Sequence, residues 1–563
     1  MCQSEFCGSF IAPPFPLSFA PLFHYSDSTK VLLVQPPIED FYDTPIRTYP
    51  LGLLYVAARA EDIADVVLLD ARTGRKPERL QEHEFHELDP FYKERIYTPF
   101  SFFSHYRRFG LTFTEIRKAV EKEMPDLVAV SSMCSAYEKQ ALEVAMAAKE
   151  ASREIVTVMG GIHPTLFPGR LLSHRDVDYC VRGEGETPFF ELVSALSRGD
   201  IQAKRQIRGL CFKEGGRFHL SDPNVESDIN LLPGRQFLDA DRYRIRKKRY
   251  TFFLTSRGCP FSCGFCGKPP VPYRRRSIGS IGEEIDACAG SRIEAIDFED
   301  DMLNLDKSFF TAVLGLFVDR GVTLSAMNGI YPATMDVPTL ELMYRAGFRR
   351  LNFSLVDLSE SILATQGRTT QRSFVQLLPY LEHSPFLVEV HFIIGLPGQR
   401  PTDLLDTLCF LMGQRLLLGP SIFYFSPGSP ASVSLEGAGE VPLPSMRSSV
   451  MFPLNPLFPR TVTYTFVKLV RFINYVKQLL DRHDGIAAGR DLVNAEAVAT
   501  DGRKRMIFER LLSDKTFVYY DLDRGRMCDE AVDQGLVRTF FERARGVRIK
   551  GYRTGKTLVM DVE

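Results

Sequence analysis

At 563 residues the chain is too long for one ordinary domain, and with 45% hydrophobic and 25% charged residues it can bury a sizeable core. Its 69 basic and 70 acidic side chains leave a net charge of −1, which removes any global reason to expect nucleic-acid binding or electrostatic membrane attachment. The 11 cysteines are odd in number and follow no regular framework, which excludes a secreted disulfide scaffold and points to a reducing, cytoplasmic setting.

In chain order, residues 1–27 form an N-terminal arm. Its stretch Phe10 to Phe23 is apolar but interrupted by four prolines and lacks a basic n-region, so a signal peptide is not expected. No run of 18 apolar residues exists, and no transmembrane segment is expected. From Lys30 to Pro36 (KVLLVQP) the sequence reads as a buried parallel strand, followed by a helix around Leu51 to Ala60. Further strands are expected at Val66 to Asp70, Asp126 to Ser131, Ile155 to Gly160 and Asp178 to Val181, with helices at Lys139 to Ser152 and Glu186 to Leu196. This alternation predicts an α/β doubly wound, Rossmann-like domain over 28–200, with 76–110 as an insertion. Residues 201–250 read as a linker carrying a short hairpin. Strands at Phe252 to Ser256, Ala295 to Glu299, Thr323 to Asn328, Leu351 to Leu355, Val388 to Ile394 and Ile422 to Phe425 then predict a partial (β/α)6 barrel over 251–430. Beyond it, Val462, Phe466, Leu469, Val470, Ile473, Val476 and Leu480 share one helical face. They predict a core-packing helix in a mainly α C-terminal cap or substrate domain, 431–563.

The chemistry concentrates in Thr255 to Lys268 (TSRGCPFSCGFCGK), where Cys259, Cys263 and Cys266 are spaced C-x3-C-x2-C. Three thiolates this close cannot form a sensible set of disulfides, and soft sulfur ligands favour iron–sulfur or zinc. Zinc wants four protein ligands, and no fourth Cys or His lies nearby. A [4Fe–4S] cube held by three cysteines leaves one iron open, whereas pure electron transfer normally uses four cysteines. A three-cysteine cluster directly after a barrel strand therefore implies a small molecule on the fourth iron.

This segment resembles the radical SAM superfamily, whose signature is the same spacing with an aromatic before the last cysteine, here Phe265. The resemblance implies that S-adenosyl-L-methionine (SAM) chelates the open iron and is cleaved reductively to methionine and a 5′-deoxyadenosyl radical. Later strands carry matching features. Asp297 to Asp301 (DFEDD) is similar to the family's acidic contact to the SAM amino group, with Asp300 and Asp301 as candidates. Ala346 to Leu355 resembles the segment that reaches the ribose and methionine carboxylate, with Ser354 as the polar contact, although Val356-Asp357 stands where many relatives have Glu-Ser. His391 to Gly398 (HFIIGLPG) resembles the adenine-packing motif, through Gly395, Pro397 and Gly398. Tyr424 to Pro430 (YFSPGSP) looks like the sixth-strand end of the same subgroup. Arg274, Arg275 and Arg276 read either as an anion-binding group or as a solvated basic turn.

Upstream, Gln35-Pro36-Pro37, Pro50-Leu51-Gly52, Gly160 to Thr165 (GGIHPT) and Gly183 to Glu186 (GEGE) resemble the cobalamin-binding domain of class B radical SAM proteins. Candidate cobalamin residues are Gln35, Pro36, Pro37, Gly52, Ser131, Ser132, Gly160, Gly161, His163, Gly183 and Glu184. The D-x-H-x-x-G motif that donates histidine to cobalt is absent, so His163 is expected to cap a turn rather than ligate cobalt.

The resemblance implies a cobalamin-dependent radical SAM enzyme, most often a methyltransferase acting on an unactivated carbon. Its partners would be a small-molecule, lipid or natural-product substrate and an electron donor such as flavodoxin or ferredoxin. A cyclase, ring-contracting enzyme or oxidase with the same domains is the enzymatic alternative, and a cobalamin- or cluster-based sensor the non-enzymatic one. A methylthiotransferase would need three further N-terminal cysteines, where only Cys134 and Cys180 lie in the first domain's core. In the C-terminal region, Tyr519, Tyr520 and Cys528 read as core residues.

Overall fold

A computed structural model of the chain describes residues 29–560 except 43–48, 102, 104, 201, 246, 269–270, 369–370 and 432–440. The N-terminal arm therefore lies outside the described residues.

The first domain is built on β1 (Thr29–Gln35), β2 (Ala64–Asp70), β3 (Leu127–Ser131), β4 (Val156–Gly160) and β5 (Tyr179–Val181), all parallel. They lie in the order β2-β1-β3-β4-β5, and the hairpin β6 (Leu210–Glu214) and β7 (Arg217–His219) adds an antiparallel edge beside β5. Strand period two sorts the side chains: Leu32 and Val34 enter one core with Ile116, Val120 and Val144, while Val31 and Leu33 enter another with Leu53, Ala57 and Leu192. Helices α1 (Leu51–Ala60), α2 (Phe113–Glu123), α3 (Glu138–Ala151) and α4 (Glu186–Ser197) supply those partners from the two faces. The strand order reverses between β1 and β3, and a ligand crevice forms at the carboxyl ends of such a switch point.

The second domain follows with β8 (Lys248–Phe253), β9 (Ala295–Phe298), β10 (Thr323–Ser325), β11 (Arg350–Val356), β12 (Leu387–Ile394) and β13 (Leu417–Ile422). The first three and the last three are parallel ladders, and bridges Leu324–Phe348 and Ile330–Phe353 join them into an open arc. Helices α5 (Ile278–Gly290), α6 (Lys307–Phe317), α7 (Val337–Ala346), α8 (Gln371–His383) and α9 (Pro401–Met412) cover the outside. Two strands begin earlier than the sequence suggests. Lys248 to Tyr250 already pair at the start of β8, and β13 covers Leu417–Ile422 rather than Ile422 to Phe425, because Gly419 and Pro420 hide its apolar pattern.

Residues after 440 share the barrel's core. Helix α10 (Arg460–Arg482) buries Phe466, Leu469, Phe472, Ile473, Val476 and Leu480 there. A hairpin, β14 (Val518–Asp521) with β15 (Arg526–Asp529), pairs with Ile96–Tyr97 of the 76–110 insertion. That insertion thus ties the first domain to the C-terminal region. Among the described residues, no helix is long and apolar enough to cross a membrane.

Candidate active site

The loop that leaves β8 carries Cys259, Cys263 and Cys266, with Cys263 buried and the other two half-buried. Burial pushes the Cys263 thiol up, the Arg368 guanidinium pulls it back, and Cys266 and Cys259 push it further. The three sulfurs therefore share one electrostatic neighbourhood. Among the described residues, the group of three or more ligating side chains whose atoms lie within 4.8 Å of one another is His83, His86 and Asp89. The thiols are spaced more widely than a single ion requires, and an all-sulfur donor set fits an iron–sulfur cube. Gly267 is obligatory, because its Cβ would collide with Ser426 and lie 2.6 Å from Pro427 O. Gly264 N–H donates to Gln366 O at 3.4 Å, and Gly264 O accepts from Ala431 N–H at 2.9 Å. The barrel's fourth and sixth segments thus grip the loop.

Asp300 is 2% exposed and faces inward, accepting hydrogen bonds from the amides and hydroxyls of Thr255 and Ser256 at 2.6 to 3.1 Å. Burial pushes its carboxyl up against those bonds. Asp300, expected as a contact to the SAM ammonium, braces the entry of the cysteine loop through these bonds. Asp301 is half-buried and paired with Lys268, at the other end of the same loop.

Strand alternation turns Ile296, Phe298, Leu324, Leu351, Phe353, Val390 and Phe392 outward to the helices. The inner faces consequently carry Asp297, Ser325, Asn352, Ser354, Glu389 and His391. Ser354 lies opposite His391 in register and close to Gly329, whose Cβ would sit 3.0 Å from Ser354 Cβ. Asn352 is 2% exposed, and its Oδ1 is buried without a hydrogen-bond partner while its Nδ2 donates to Ala326 O at 3.5 Å. A buried acceptor left open inside the barrel fits a polar ligand bearing an ammonium or hydroxyl group. Gly395 (φ +89°) and Gly398 (φ +78°) form the turn after β12, with Pro397 half-buried between them.

At the carboxyl ends of the first sheet, Pro36 and Pro37 are buried after β1 and Gln35 Nε2 donates to Asp70 Oδ1 at 3.0 Å. Ser131 and Gly160 end β3 and β4, while Gly52 lies exposed in the first turn of α1 with open space around it. Ser132 is 4% exposed with an unpartnered hydroxyl, and the neighbouring Met133 is 57% exposed. Gly161 (φ +119°) passes so close that a Cβ would lie 2.7 Å from Ser132 O. An open buried hydroxyl, an exposed apolar side chain and close glycine backbone at one strand end fit a bulky cofactor of mixed polarity.

Two expected cobalamin contacts, His163 and Glu184, have close protein partners. His163 is fully buried, its Nδ1 2.9 Å from Ser135 Oγ and its Nε2 3.7 Å from Glu138 Oε1, and it braces the chain between these two residues. Glu184 receives Arg274 through two bonds of 2.8 and 2.7 Å and the Glu226 amide at 2.6 Å. Burial pushes its carboxyl up, and Arg274 and Arg257 outweigh this and hold it below the usual range. Gly183 (φ +79°) is packed against the Asn224 backbone. Arg257, two residues before Cys259, pairs with Glu186 at 2.7 Å, and Arg257 and Arg274 face each other across a short antiparallel ladder. The Gly183 to Glu186 motif is therefore a latch between the first domain and the cysteine loop. Sequence reading missed Arg257 as its partner, although it stands inside the cysteine motif.

A cavity of about 1150 Å3 opens between Ser135, Leu142 and Phe167 of the first domain and Phe425, Gly428 and Leu443.

Residues 105–193 match the B12 binding domain family. The chain is 28% identical over 394 residues to an uncharacterised methyltransferase of Pyrococcus horikoshii, covering 68% of this chain and 77% of the relative. It is 25% identical over 310 residues to the anaerobic magnesium-protoporphyrin IX monomethyl ester cyclase of Rubrivivax gelatinosus, covering 53% of this chain and 56% of that one. In three dimensions it is similar to the radical S-adenosylmethionine methyltransferase TsrM of Kitasatospora setae, solved with cobalamin and a [4Fe–4S] cluster. The TM-score is 0.54 at 20% identity, over 73% of this chain and 75% of that one. With the three-cysteine loop, the partial barrel and the preceding doubly wound domain in place, the chain is similar to the class B radical SAM enzymes, in which a cobalamin-binding domain precedes the radical SAM barrel.

Proposed function

We propose that this enzyme transfers a methyl group to an unactivated carbon of a small-molecule substrate, using a [4Fe–4S] cluster, SAM and cobalamin. One observation carries the reading: the three-cysteine loop is latched by Arg257 and Arg274 to Glu186 and Glu184, at the carboxyl ends of the first sheet. When bound, the cluster supplies one electron to SAM, SAM supplies the acceptor of a substrate hydrogen atom, and cobalamin supplies the methyl group.

The chain's own residues hold these reactants in line and keep water out, as effective molarity requires. Cys259, Cys263 and Cys266 hold the cluster, and Asp300 fixes the strand end from which their loop springs. Asn352 and Ser354 offer polar contacts to SAM from the inner face of β11, and Gly395 to Gly398 receive its adenosine end. Ser131, Ser132 and Gly161 border the cobalamin crevice. The cavity has room for a small-molecule substrate. A flavodoxin or ferredoxin is the fitting class of electron donor, in the cytoplasm.

Anaerobic reconstitution tests the reading. The expected result is about four irons per chain, a cobalamin spectrum, and both S-adenosylhomocysteine and 5′-deoxyadenosine in the presence of substrate. Iron without any 5′-deoxyadenosine from reduced protein would sink it. The relatedness to a cyclase favours a second reading, radical cyclisation or oxidation, in which 5′-deoxyadenosine forms and S-adenosylhomocysteine does not.

A further inference from the structure

Strand β11 ends in a conformation that a β-branched residue rarely adopts. Val356 is 1% exposed with φ +73°, the register to β12 shifts between Ser354 and Val356, and Asp357 N–H turns back to Leu355 O at 3.0 Å. A strained, buried residue of this kind persists only where its surroundings over-determine it. The surroundings are specific. Asp357 is fully buried and accepts from Gln399 Nε2 at 2.6 Å and from Ser359 N–H at 2.9 Å. Gln399, also fully buried, uses its other end on the next loop: its Oε1 accepts from Gly395 N–H at 2.7 Å and Leu396 N–H at 3.3 Å. Its Nε2 also donates to Ile393 O at 3.0 Å.

The same loop is held from its far side by the C-terminal region. Asn455, 4% exposed, donates through Nδ2 to Leu396 O at 2.6 Å and Gln399 O at 2.9 Å. Phe458 Cβ lies 3.7 Å from where a Gly395 Cβ would be. The Gly395 to Gly398 turn is thus clamped between the strained end of β11 and the segment that leads into α10.

We propose that Asp357, Gln399 and Asn455 are positioning residues that set this turn in the shape that receives the adenosine end of SAM, making the C-terminal region part of the SAM site. The proposal rests on the SAM-binding reading above. It explains why Val356-Asp357 can stand after β11: Asp357 works as an acceptor for the facing glutamine, not as a contact to SAM.

Reversing the direction of one hydrogen bond tests it on the full-length, cluster-loaded protein. Gln399→Glu sets a second carboxylate against Asp357 and against Ile393 O in a buried site, whereas Asp357→Asn with Gln399→Glu restores a donor facing an acceptor between the two side chains and leaves only the Ile393 bond lost. The primary readout is the dissociation constant for SAM by equilibrium dialysis, with iron content and melting temperature as controls. Gln399→Glu is expected to weaken SAM binding about tenfold or more at unchanged iron content, and the double variant to recover part of that loss, binding at least about threefold more tightly than Gln399→Glu. Asn455→Ala is expected to weaken it by about three- to tenfold. Unaltered SAM affinity in iron-loaded Gln399→Glu or Asn455→Ala overturns the proposal, as does a folded double variant that binds SAM no more tightly than Gln399→Glu. If Gln399→Glu does not fold, Asn455→Ala decides by the same criterion. Wild-type protein that binds SAM without cleaving it would refute the radical reading and leave the clamp standing on its dissociation constants. Wild-type protein that binds no SAM would overturn both.

Discussion

Gly160 and Gly161 are adjacent, yet the structure asks different things of them. Gly161 has φ +119°, and an added Cβ would meet Ser132 O at 2.7 Å and Met133 Sδ at 3.0 Å. Gly160 has open space around it. Gly161→Ala should therefore cost about 1–3 kcal/mol through strain alone, and Gly160→Ala less than about 1. Urea unfolding of the two variants side by side measures the difference, and equal stabilities would mean that the turn is not held as described. The contrast shows what a sequence displays at the residue scale. The Gly-Gly pair and the three cysteines were legible because their chemistry is local and compositional. For Asp300, His163 and Glu184 the side chain's type is visible in the sequence and its protein partner is not. Those partners are Thr255, Ser135 and Arg274. Each cysteine is separately testable. Cys259→Ala, Cys263→Ala and Cys266→Ala should each lose most bound iron while the far-ultraviolet spectrum stays that of the folded chain. Retained iron in any one would exclude that thiol as a ligand.

Elements were legible where one period dominates. The apolar face of α10, read from 3.6-residue spacing, is the buried face, and β1 to β5 follow the expected alternation with boundary shifts of a residue or two. The strand β13 escaped because Gly419 is there for space: its Cβ would lie 2.8 Å from the His391 ring, so the residue that fits the barrel breaks the apolar run. Helix α10 holds a second element-scale feature that its pattern concealed. Lys477 is fully buried on it, donating to Met412 O at 2.9 Å, Gln414 O at 2.7 Å and Lys550 O at 2.8 Å. Burial pulls its ammonium down to about 7, with Asp481 opposing. Below pH 7 folded and unfolded chains are both protonated. Between about 7 and the ordinary lysine value near 10.5 the unfolded chain holds a proton that the folded chain has released, so this residue makes stability rise with pH across that window. Denaturant midpoints at pH 7 and pH 9 should show the rise in wild type and a smaller one in Lys477→Met. The same slope in both would assign the effect elsewhere.

At the scale of the whole molecule, the question is what keeps two α/β units in the one arrangement that brings a strand-end crevice to a cluster loop. Generic apolar contact is not directional enough to do so. The latch is: Glu184 and Glu186 stand at the end of β5 and the start of α4, and Arg257 and Arg274 stand on either side of the cysteines, all four side chains less than one-fifth exposed. Arg257 also lies over the Tyr55 ring at 4.7 Å, adding α1 to the same joint. Removing Glu184 leaves Arg274 without its counter-charge, and Arg257 with Glu186 alone, in a site with little water. That should cost on the order of 2–3 kcal/mol, below the figure for a fully buried pair because some exposure remains. The loss should fall on the joint before it falls on either core, since β1 to β5 and β8 to β13 keep their own packing. Residues 220–243 connect the two units and carry Arg235 and the exposed Arg242. Trypsin should therefore cleave Glu184→Ala there several-fold faster than wild type, while the two cores resist for as long as before. Because the pairs are largely shielded from solvent, the difference should survive at 0.5 M salt, where the Debye length is only about 4–5 Å. Equal cleavage rates, or a difference that salt erases, would show that the domains are held together by something other than this joint.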